Sequence, residues 1–490
     1  MAEQRKWLVV YGEYKNQQKR AVDVITRKIA DIVNYVPTVR KACALSEEDR
    51  EKYCLIFVGT VENNSYIKDF ASEGVINIPD NEEGYAIKVT SPDSNGKQTA
   101  IVAGGGSTGV MYGAAEFAYK HLGTVSTMTH SRALSDKGFY ESGLDCKMAE
   151  CEVSTSPAVR DRGLWTWGHV IYDYRKYLEN MSDLRMNTVV IWNDFAPINA
   201  NEIVDYAHSL GIKVIWGYSW GWNTRTTDKI DLSEEAIKAW ADRIISIYEN
   251  QYADTGADGI YFQSFTELDT DTKDGLLIAD AVTRWVNGIV EYVFEKYSTL
   301  RLQFGVHCDS VKQHYEYLSS VHPNVEIIWE NCGSFPYYYL IQVDNFEETD
   351  AYTAKIANLR GNDDKFGVVI KEMTKLDWSC FKHIEGPYVM GENSEQLKAR
   401  LLEDRERRWW HMQAWWIEYA ELYLKNVRTL RDVKRGDFTA VALVEDGLFE
   451  CGAWSPVAMY AHGLWNPDVS ENELVREVSK WSNVRFSHKS

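Results

Sequence analysis

The sequence predicts an α/β protein in which a small N-terminal α/β domain, residues 1–155, precedes a (β/α)8 TIM barrel, residues 156–490. Two observations favour this fold. Short buried strands alternate with amphipathic helices along the chain. From Arg160 the alternation becomes regular and long enough for eight strands, each followed by a helix, which is the pattern of such a barrel. An open doubly wound sheet is the second architecture that this alternation allows.

Length and composition limit the class of protein. The chain has 490 residues, of which 45% are hydrophobic, so it can bury a core. Its net charge of −19 repels phosphate backbones and anionic lipid, and we expect neither nucleic acid nor a membrane as partner. The first residues lack a secretory pattern, and the eight cysteines are scattered. These features favour reduced thiols in the cytoplasm, and nothing in the sequence argues against a homo-oligomer.

The N-terminal domain begins with two predicted buried strands, Trp7–Tyr11 and Leu55–Gly59. Between them, Gln18–Asn34 carries apolar residues at helical spacing. Two further strands, Tyr85–Thr90 and Thr99–Ala103, are separated by a segment with an Asn-Gly step, which is a hairpin signal. The domain is therefore predicted to be a small α/β layer.

A glycine-rich segment, Gly104–Gly109, lies between this hairpin and the predicted helix Met111–Leu122. Its G-x-G-x-x-G spacing is typical of dinucleotide-binding loops. However, the strand before it belongs to a hairpin, and no acidic residue follows at the distance that such a loop requires. We favour glycines that let a helix pack closely against a strand, with a nicotinamide site as the alternative. No cofactor is expected.

The barrel is predicted from eight strand-like runs. They are Gly163–Gly168, Thr188–Asn193, Lys213–Tyr218, Gly259–Phe265, Leu300–Val306, Val325–Trp329, Phe366–Ile370 and Phe438–Val444. Helical patterns lie between most of them, namely Ile203–Leu210, Glu234–Asn250, Leu276–Lys296 and Glu395–Asp432. A last helix, Ser470–Lys480, starts with a capping box of Ser470 and Glu473.

Catalytic residues of such barrels lie at the carboxyl ends of the strands. Three glutamates stand there directly after runs of high β-propensity, where a charge is unexpected: Glu267, Glu330 and Glu372. For the acids Asp194, Asp269 and Asp446, a helix cap or a solvated loop explains the position equally well. Further polar and aromatic residues at these ends are candidates for substrate binding. They are Trp165, Trp167, Trp192, Asn193, Asp194, Trp220, Trp222, His307, Asp309 and Lys371.

Carboxylates, asparagine and tryptophan, without a Ser-His pair, are typical of glycoside chemistry. One carboxylic acid protonates the leaving oxygen, and a second carboxylate attacks the anomeric carbon or deprotonates a water molecule. Aromatic faces hold the sugar rings. The sequence therefore predicts a glycoside hydrolase that acts on an oligosaccharide or glycoside without a metal. Glu267 is the predicted acid, and either Glu372 or Glu330 is the base or nucleophile.

Two other functions remain open at this point. The first is a barrel that binds sugar without cleaving it. The second is a metal-assisted lyase or isomerase in which His307, Asp309 and Glu330 are ligands. Chelator sensitivity would identify the second, and sugar binding without new reducing ends would identify the first.

Three stretches resemble the family 67 α-glucuronidases and, more broadly, the superfamily of the family 20 hexosaminidases. The first is Ile101–Ala114, the second is Tyr177–Asn193 with Ile203–Ile215, and the third is Ala461–Pro467 with Ser470–Glu477. The resemblance implies an accessory N-terminal domain, a catalytic barrel and exo-action on uronic acid or hexosaminide termini. It places Glu267 at the general acid, and Glu372 at one of two carboxylates that activate water.

The chain departs from both families at specific positions. Where family 67 has Lys-Asn-Gly-Pro-Ile-Asp after the sixth strand, this chain has Glu330 followed by Asn-Cys-Gly-Ser-Phe. A glutamate thus replaces a substrate-binding lysine, which disfavours an anionic sugar unless Arg225, Lys371 or Lys375 supplies the cation. Thr266 precedes Glu267, so the Asp-Glu pair of family 20 is absent as well, and substrate-assisted chemistry is not supported.

Overall fold

The computed structural model describes residues 6–33, 35–122, 148–167, 171–193, 195–221, 229–330, 346–370, 386–391, 409–444 and 449–487. The chain divides into two compact units. One extends to Pro157 and includes the short stretches Ser209–Gly211 and Ser479–Asn483, and the other contains the remaining residues. Within the described ranges, no helix combines the length and the apolar character that crossing a bilayer requires.

The N-terminal unit is built on a six-stranded sheet. Its strands are β1 (Trp7–Tyr11), β2 (Thr38–Lys41), β3 (Cys54–Gly59), β4 (Tyr85–Val89), β5 (Thr99–Gly104) and β6 (Cys151–Thr155). Its helices are α1 (Asn16–Ile32), α2 (Glu47–Lys52), α3 (Ser65–Ser72) and α4 (Ser107–Glu116). The strand order is β2-β1-β3-β5-β4-β6, and β4 runs antiparallel to both of its neighbours. A π-helical turn, Phe117–His121, continues α4.

The predicted strands, first helix and hairpin of this unit are confirmed. The turn between β4 and β5 contains Gly96 at φ +75°, a conformation that glycine adopts without strain. Four elements were not predicted: β2, β6, α2 and α3. All are short, and β2 and β6 alternate between partly buried and exposed residues, so they carry little apolar signal.

The glycine-rich loop between β5 and α4 packs closely against the segment that precedes β4. The N–H groups of Gly105 and Gly109 donate to the carbonyl oxygens of Gly84 and Glu82, at 2.9 and 3.1 Å. A Cβ atom at Gly109 would lie 2.1 Å from the Gly84 oxygen. The glycines therefore let this loop approach the backbone before β4, which is the packing role predicted for them.

The second unit contains a closed barrel of eight parallel strands among the described residues. They are β7 (Asp161–Trp167), β8 (Thr188–Trp192), β9 (Lys213–Ser219), β10 (Gly259–Gln263), β13 (Leu302–His307), β14 (Val325–Glu330), β15 (Phe366–Ile370) and β16 (Thr439–Leu443). Their bounds lie within two residues of those predicted. The barrel is confirmed, and the open doubly wound sheet is wrong because β16 pairs with β7 and closes the sheet.

Helices and two short ribbons accompany the barrel. The helices are α5 (Tyr174–Asp183), α6 (Ala200–Ser209), α7 (Glu234–Gln251), α8 (Ile278–Lys296), α9 (Phe346–Ala357), α10 (Ala420–Lys434), α11 (Ser455–Trp465) and α12 (Glu471–Ser479). The ribbons pair β11 (Thr272–Lys273) with β12 (Leu276–Leu277), and β17 (Ala453–Trp454) with β18 (Val484–Arg485). The predicted capping box of α12 is present, since the Ser470 N–H donates to Glu473 at 2.9 Å.

Large side chains fill the middle of the barrel. The inward cluster comprises Trp165, Val190, Trp192, Ile215, Tyr261, Ile328, Val369, Val441 and Leu443. Because side chains alternate along a strand, every second residue beyond this layer also points inward. That rule directs the last residues of three strands, Gln263, His307 and Glu330, into the carboxyl end of the barrel.

A network of ion pairs closes the amino end of the barrel. Asp161 and Glu326 are 1% exposed, and both contact the guanidinium of Arg301 at 2.8 Å. Lys213 also contacts Asp161, at 2.7 Å, and the Thr439 hydroxyl donates to Glu326 at 2.6 Å. Burial would raise the pKa of Asp161, but the surrounding guanidinium and ammonium charges hold it well below its usual value.

Candidate functional site

Three neighbouring barrel strands bring the candidate site together. Gln263 ends β10, His307 ends β13 and Glu330 ends β14, and these strands pair in that order. The loops after β10 and β13 add Glu267 and Asp309. Of the predicted residues, the structure thus assembles Glu267, His307, Asp309 and Glu330 at the carboxyl end of the barrel.

Glu330 is completely buried, with 0% of its surface exposed. The Tyr261 hydroxyl donates to its Oε1 atom at 2.5 Å, and the side-chain amide of Gln263 donates to the same oxygen. Both donors are neutral, so they stabilise the carboxylate by hydrogen bonding without cancelling its charge. The site therefore holds a carboxyl group, bound by neutral donors, in a region that bulk water does not reach.

Tyr261 is fixed as a donor in this arrangement. Burial raises its pKa well above the usual value, and the charge and hydrogen bond of Glu330 raise it further. The hydroxyl consequently keeps its proton over the whole physiological pH range. Tyr261 and Gln263 were not predicted from the sequence, although their two-residue spacing at the end of a predicted strand places both on one face.

The imidazole of His307 lies between three carboxylates. Its Nδ1 atom is 3.0 Å from Oδ2 of Asp309. Its Nε2 atom is 3.9 Å from Oε1 of Glu267 and 4.0 Å from Oε2 of Glu330. Asp309 therefore orients the ring, and the opposite nitrogen faces both glutamates.

Glu267 differs from Glu330 in its exposure. One third of its side-chain surface, 33%, is accessible, whereas Glu330 has none. The adjoining loops are tied together by Ser310, whose hydroxyl accepts from the Leu268 N–H at 2.8 Å and donates to the Leu268 oxygen at 2.9 Å. The backbone beside Glu267 is thus held in place while its carboxyl group stays within reach of a substrate.

The two glutamates are close enough for joint action. Each places one oxygen within 4.0 Å of the same nitrogen, so those oxygens can be no further apart than twice that distance. Carboxyl groups of glycosidases are separated by roughly 5–9.5 Å, depending on the stereochemical course. The upper limit on the separation of these two oxygens therefore falls inside the range that glycosidic cleavage uses.

The metal-assisted alternative is not supported by this geometry. Asp309 contacts Nδ1 of His307, whereas Glu330 faces Nε2. Because the two nitrogens point away from each other, one ion cannot bind His307, Asp309 and Glu330 together. Within the part of the chain that the structure describes, no cluster of three or more His, Cys, Asp or Glu side chains could hold a metal.

The predicted aromatic platforms lie in packed positions. Trp165 and Trp192 are 2% exposed and contact the ring of Tyr261, with centroids at 5.9 and 6.0 Å. Trp220 is stacked on Phe262, with centroids 3.8 Å apart. Phe262 alternates with the inward-facing Tyr261, so this stack lies on the outer side of the barrel wall. Trp165 and Trp192 therefore belong to the packed interior of the barrel, and Trp220 packs on its outer side.

The structure describes only some of the remaining predicted residues. Asn193 is 3% exposed, and its carbonyl oxygen accepts a hydrogen bond from the Tyr252 hydroxyl at 3.0 Å. For Trp167 only the backbone is described. Several other predicted residues lie outside the described ranges, namely Asp194, Trp222, Arg225, Lys371, Glu372, Lys375 and Asp446.

Neither a protein-family model nor a curated protein matches this sequence. Among solved structures, the chain is similar to a GH138 enzyme targeting pectin rhamnogalacturonan II, at 13% identity and a TM-score of 0.48, with 97% of this chain but only 52% of that enzyme covered. It is similar to a β-N-acetylhexosaminidase from Bacteroides fragilis, at 13% identity and a TM-score of 0.48, with 98% of this chain and 91% of that enzyme covered. It is also similar to a GH20 exo-β-N-acetylglucosaminidase from Vibrio harveyi, at 10% identity and a TM-score of 0.49, with 100% of this chain and 76% of that enzyme covered. The assignment of the barrel rests on this chain's own strand pairing.

Proposed function

We propose that the protein is a glycoside hydrolase that removes terminal sugars from oligosaccharides by carboxylate acid/base catalysis. One observation carries the proposal. A buried carboxylate, Glu330, and a partly exposed one, Glu267, face the same imidazole nitrogen at the carboxyl end of the barrel. This is the position of catalysis in barrel enzymes, and two convergent carboxyl groups are what glycosidic cleavage requires.

Glu267 is proposed to act as the general acid. Its exposure lets the carboxyl group reach the glycosidic oxygen, and protonation of that oxygen allows the leaving sugar to depart. As the bond breaks, positive charge develops at the anomeric carbon. The carboxylate of Glu330, held by neutral donors in a low-dielectric environment, stabilises that charge as nucleophile or counter-ion. Glu372 remains the second candidate for the base.

His307 and Asp309 are proposed to position this pair. Asp309 contacts Nδ1 of the imidazole, so Nε2 faces the two glutamates. A proton on that nitrogen would attract one carboxyl oxygen of each glutamate. The dyad is therefore proposed to hold the two carboxyl groups toward one point.

The substrate is proposed to be a neutral or cationic sugar, with a hexosaminide terminus favoured over a uronic acid. The three carboxyl groups of Glu267, Asp309 and Glu330 surround the imidazole of His307. A uronate carboxylate would be repelled by this set. The α-glucuronidase activity implied by the family 67 resemblance therefore depends on cations from residues outside the described ranges.

The experiment compares wild type with Glu267→Gln on aryl hexosaminides, hexosides and uronides. We expect turnover of substrates with poor leaving groups to fall roughly 10²–10⁴-fold, because the general acid is lost. Dinitrophenyl glycosides should lose far less activity, since their leaving group needs no proton. The matched control is Asp269→Asn, which removes an exposed acid two residues along the same loop.

Equal rates for wild type and Glu267→Gln on every substrate would overturn the role of Glu267. The binding-only alternative predicts a different outcome, in which calorimetry detects an oligosaccharide but no new reducing ends form after long incubation. Loss of activity with chelator and its return with a divalent metal would favour the metal-assisted alternative.

A further inference from the structure

Both chain neighbours of Glu267 are bonded to the loop that follows β13. The hydroxyl of Thr266 accepts from the His307 N–H at 3.1 Å, and the carbonyl oxygen of Thr266 accepts from the Ser310 N–H at 3.3 Å. On the other side of Glu267, the Ser310 hydroxyl contacts the backbone of Leu268. These bonds lie beyond the last paired residues of β10 and β13, so they extend the connection between the two strands past the end of the sheet.

The hydroxyl of Ser310 satisfies two backbone groups of one residue. It accepts from the Leu268 N–H at 2.8 Å and donates to the Leu268 carbonyl oxygen at 2.9 Å. A hydroxyl can do both at once because it carries one proton and two lone pairs. Ser310 is itself 1% exposed, so its hydroxyl serves the protein backbone rather than a sugar. Alanine at this position would leave both Leu268 groups without this partner.

The same loop is bonded to the backbone of Glu330. His307 lies opposite Glu330 in the register of β13 and β14, and the next residue, Cys308, donates its N–H to the Glu330 carbonyl oxygen at 3.0 Å. The segment from His307 to Ser310 therefore contacts the backbone of one glutamate and both chain neighbours of the other. The relative position of the two glutamate backbones depends on this segment.

We propose that Ser310 is a positioning residue, whose two bonds to Leu268 keep the Glu267 carboxyl group where it can protonate the glycosidic oxygen. This inference rests on the proposed function. The Glu267 side chain is 33% accessible, so packing constrains it only in part, and its place depends on the backbone that carries it. Proton transfer needs heavy atoms about 2.6–3.2 Å apart, and a displacement of about 1 Å can slow a reaction roughly a hundredfold.

The positioning role differs from a purely structural role in the substrates that it affects. If Ser310 only stabilised the fold, its loss would lower the amount of active protein and slow every substrate by the same factor. If Ser310 positions the acid, its loss slows only those substrates whose leaving group needs a proton. The ratio of activity on dinitrophenyl glycosides to activity on glycosides with poor leaving groups therefore separates the two roles.

The experiment measures kcat and KM of Ser310→Ala on both kinds of glycoside, beside wild type and Glu267→Gln. With poor leaving groups, we expect kcat of Ser310→Ala to fall about tenfold, because the acid is displaced but still present. With dinitrophenyl glycosides, kcat should stay within about twofold of wild type. KM should be unchanged for both kinds, since the buried hydroxyl does not reach the sugar.

Three further variants complete the experiment. Ser310→Cys keeps a weaker donor and acceptor, so it should show a smaller loss in the same direction, and it replaces Ser310→Ala if that variant does not fold. The double variant with Glu267→Gln and Ser310→Ala should be no slower than Glu267→Gln, because a residue that acts through the acid has no effect once the acid is gone. Thr283→Val is the matched control. It removes a buried hydroxyl that donates to the Ala279 carbonyl oxygen within α8 at 2.8 Å, and its activity ratio should equal that of wild type.

Two results would overturn the positioning role. One is an unchanged activity ratio in a Ser310→Ala protein whose circular dichroism matches the wild type, and the other is a further tenfold fall in the double variant. Both results count against Ser310 alone when Glu267→Gln shows the expected dependence on the leaving group. If Glu267→Gln lacks that dependence, the proposed function fails, and the role of Ser310 fails with it.

Discussion

The two ends of the barrel both bury carboxylates but surround them differently. At the amino end, Asp161 and Glu326 share the guanidinium of Arg301, at 2.8 Å from each. At the carboxyl end, Glu330 accepts from the neutral hydroxyl of Tyr261. The first arrangement cancels the charge of the acids, whereas the second preserves it.

This difference suggests that the acids at the amino end of the barrel stabilise the fold, whereas those at the carboxyl end take part in catalysis. A carboxylate paired with a guanidinium loses much of its field, and removing one partner of a buried pair leaves an uncompensated charge. A carboxylate held by neutral donors keeps a field that can act on a developing positive charge. We therefore expect substitutions at the amino end to change the free energy of unfolding, and those at the carboxyl end to change catalysis.

The largest effect is expected from a matched pair of substitutions at the two ends. Glu330→Gln should lower kcat roughly thousandfold, because a neutral amide cannot stabilise positive charge at the anomeric carbon. The glutamine side chain keeps an oxygen that can accept a hydrogen bond from Tyr261, so the free energy of unfolding should change little. Glu326→Gln should do the reverse, with kcat within a few fold of wild type and a lower unfolding free energy. Steady-state kinetics and urea denaturation of both variants are the measurements. A large loss of kcat in Glu326→Gln, or a large loss of unfolding free energy in Glu330→Gln, would contradict the comparison.

The next effect concerns acid stability at the amino end. Asp161→Asn should destabilise the protein by about 1.5–3 kcal/mol at pH 7, since the buried charged acceptor of Lys213 and Arg301 is lost while Glu326 still faces Arg301. The pKa of Asp161 is lowered in the folded state. Its contribution is therefore complete above the unfolded value of about 3.9 and is lost as the pH falls toward the lower folded value. Urea denaturation should show a smaller difference between the variant and wild type at pH 3 than at pH 7. Asp269→Asn, at an exposed position, is the control, with an unfolding free energy close to wild type at pH 7.

A smaller effect is expected from the imidazole. His307→Gln should lower kcat/KM by about 10–100-fold, because the group that couples the two glutamates is lost. Asp309→Asn should act in the same direction but less strongly, since the ring remains and only its orientation is freed. Kinetics across pH 5–9 would check both. Profiles identical to wild type would remove the dyad from the mechanism.

The smallest effect is expected from Tyr261→Phe, which removes one of the two donors to Glu330 and leaves Gln263. We expect kcat to fall about tenfold. The acidic limb of the pH–activity profile should move to higher pH, because a carboxylate with fewer donors is protonated more easily. A fall in stability with an unmoved profile would instead indicate a purely structural role for the hydroxyl.

The strands of the barrel were predictable to within two residues because each is a short apolar run bounded by polar turns. The same alternation placed Glu267, His307, Asp309 and Glu330 at strand ends. Which tryptophans contact substrate was not predictable, since Trp165, Trp192 and Trp220 are equally suited to packing. The donors to Glu330 were missed because an isolated Tyr or Gln in a strand resembles any other buried residue.

The sequence by itself determined the order of elements and which residue types stand at the carboxyl ends of the strands, because hydrophobic periodicity is a local property of the chain. Tertiary structure alone decided which of those residues meet. Parallel pairing places β10 beside β13 and β13 beside β14, so residues more than 60 positions apart share one site, as in the bond from Tyr261 to Glu330, 69 positions away. Register and closure depend on pairings between distant segments, and no local pattern encodes them.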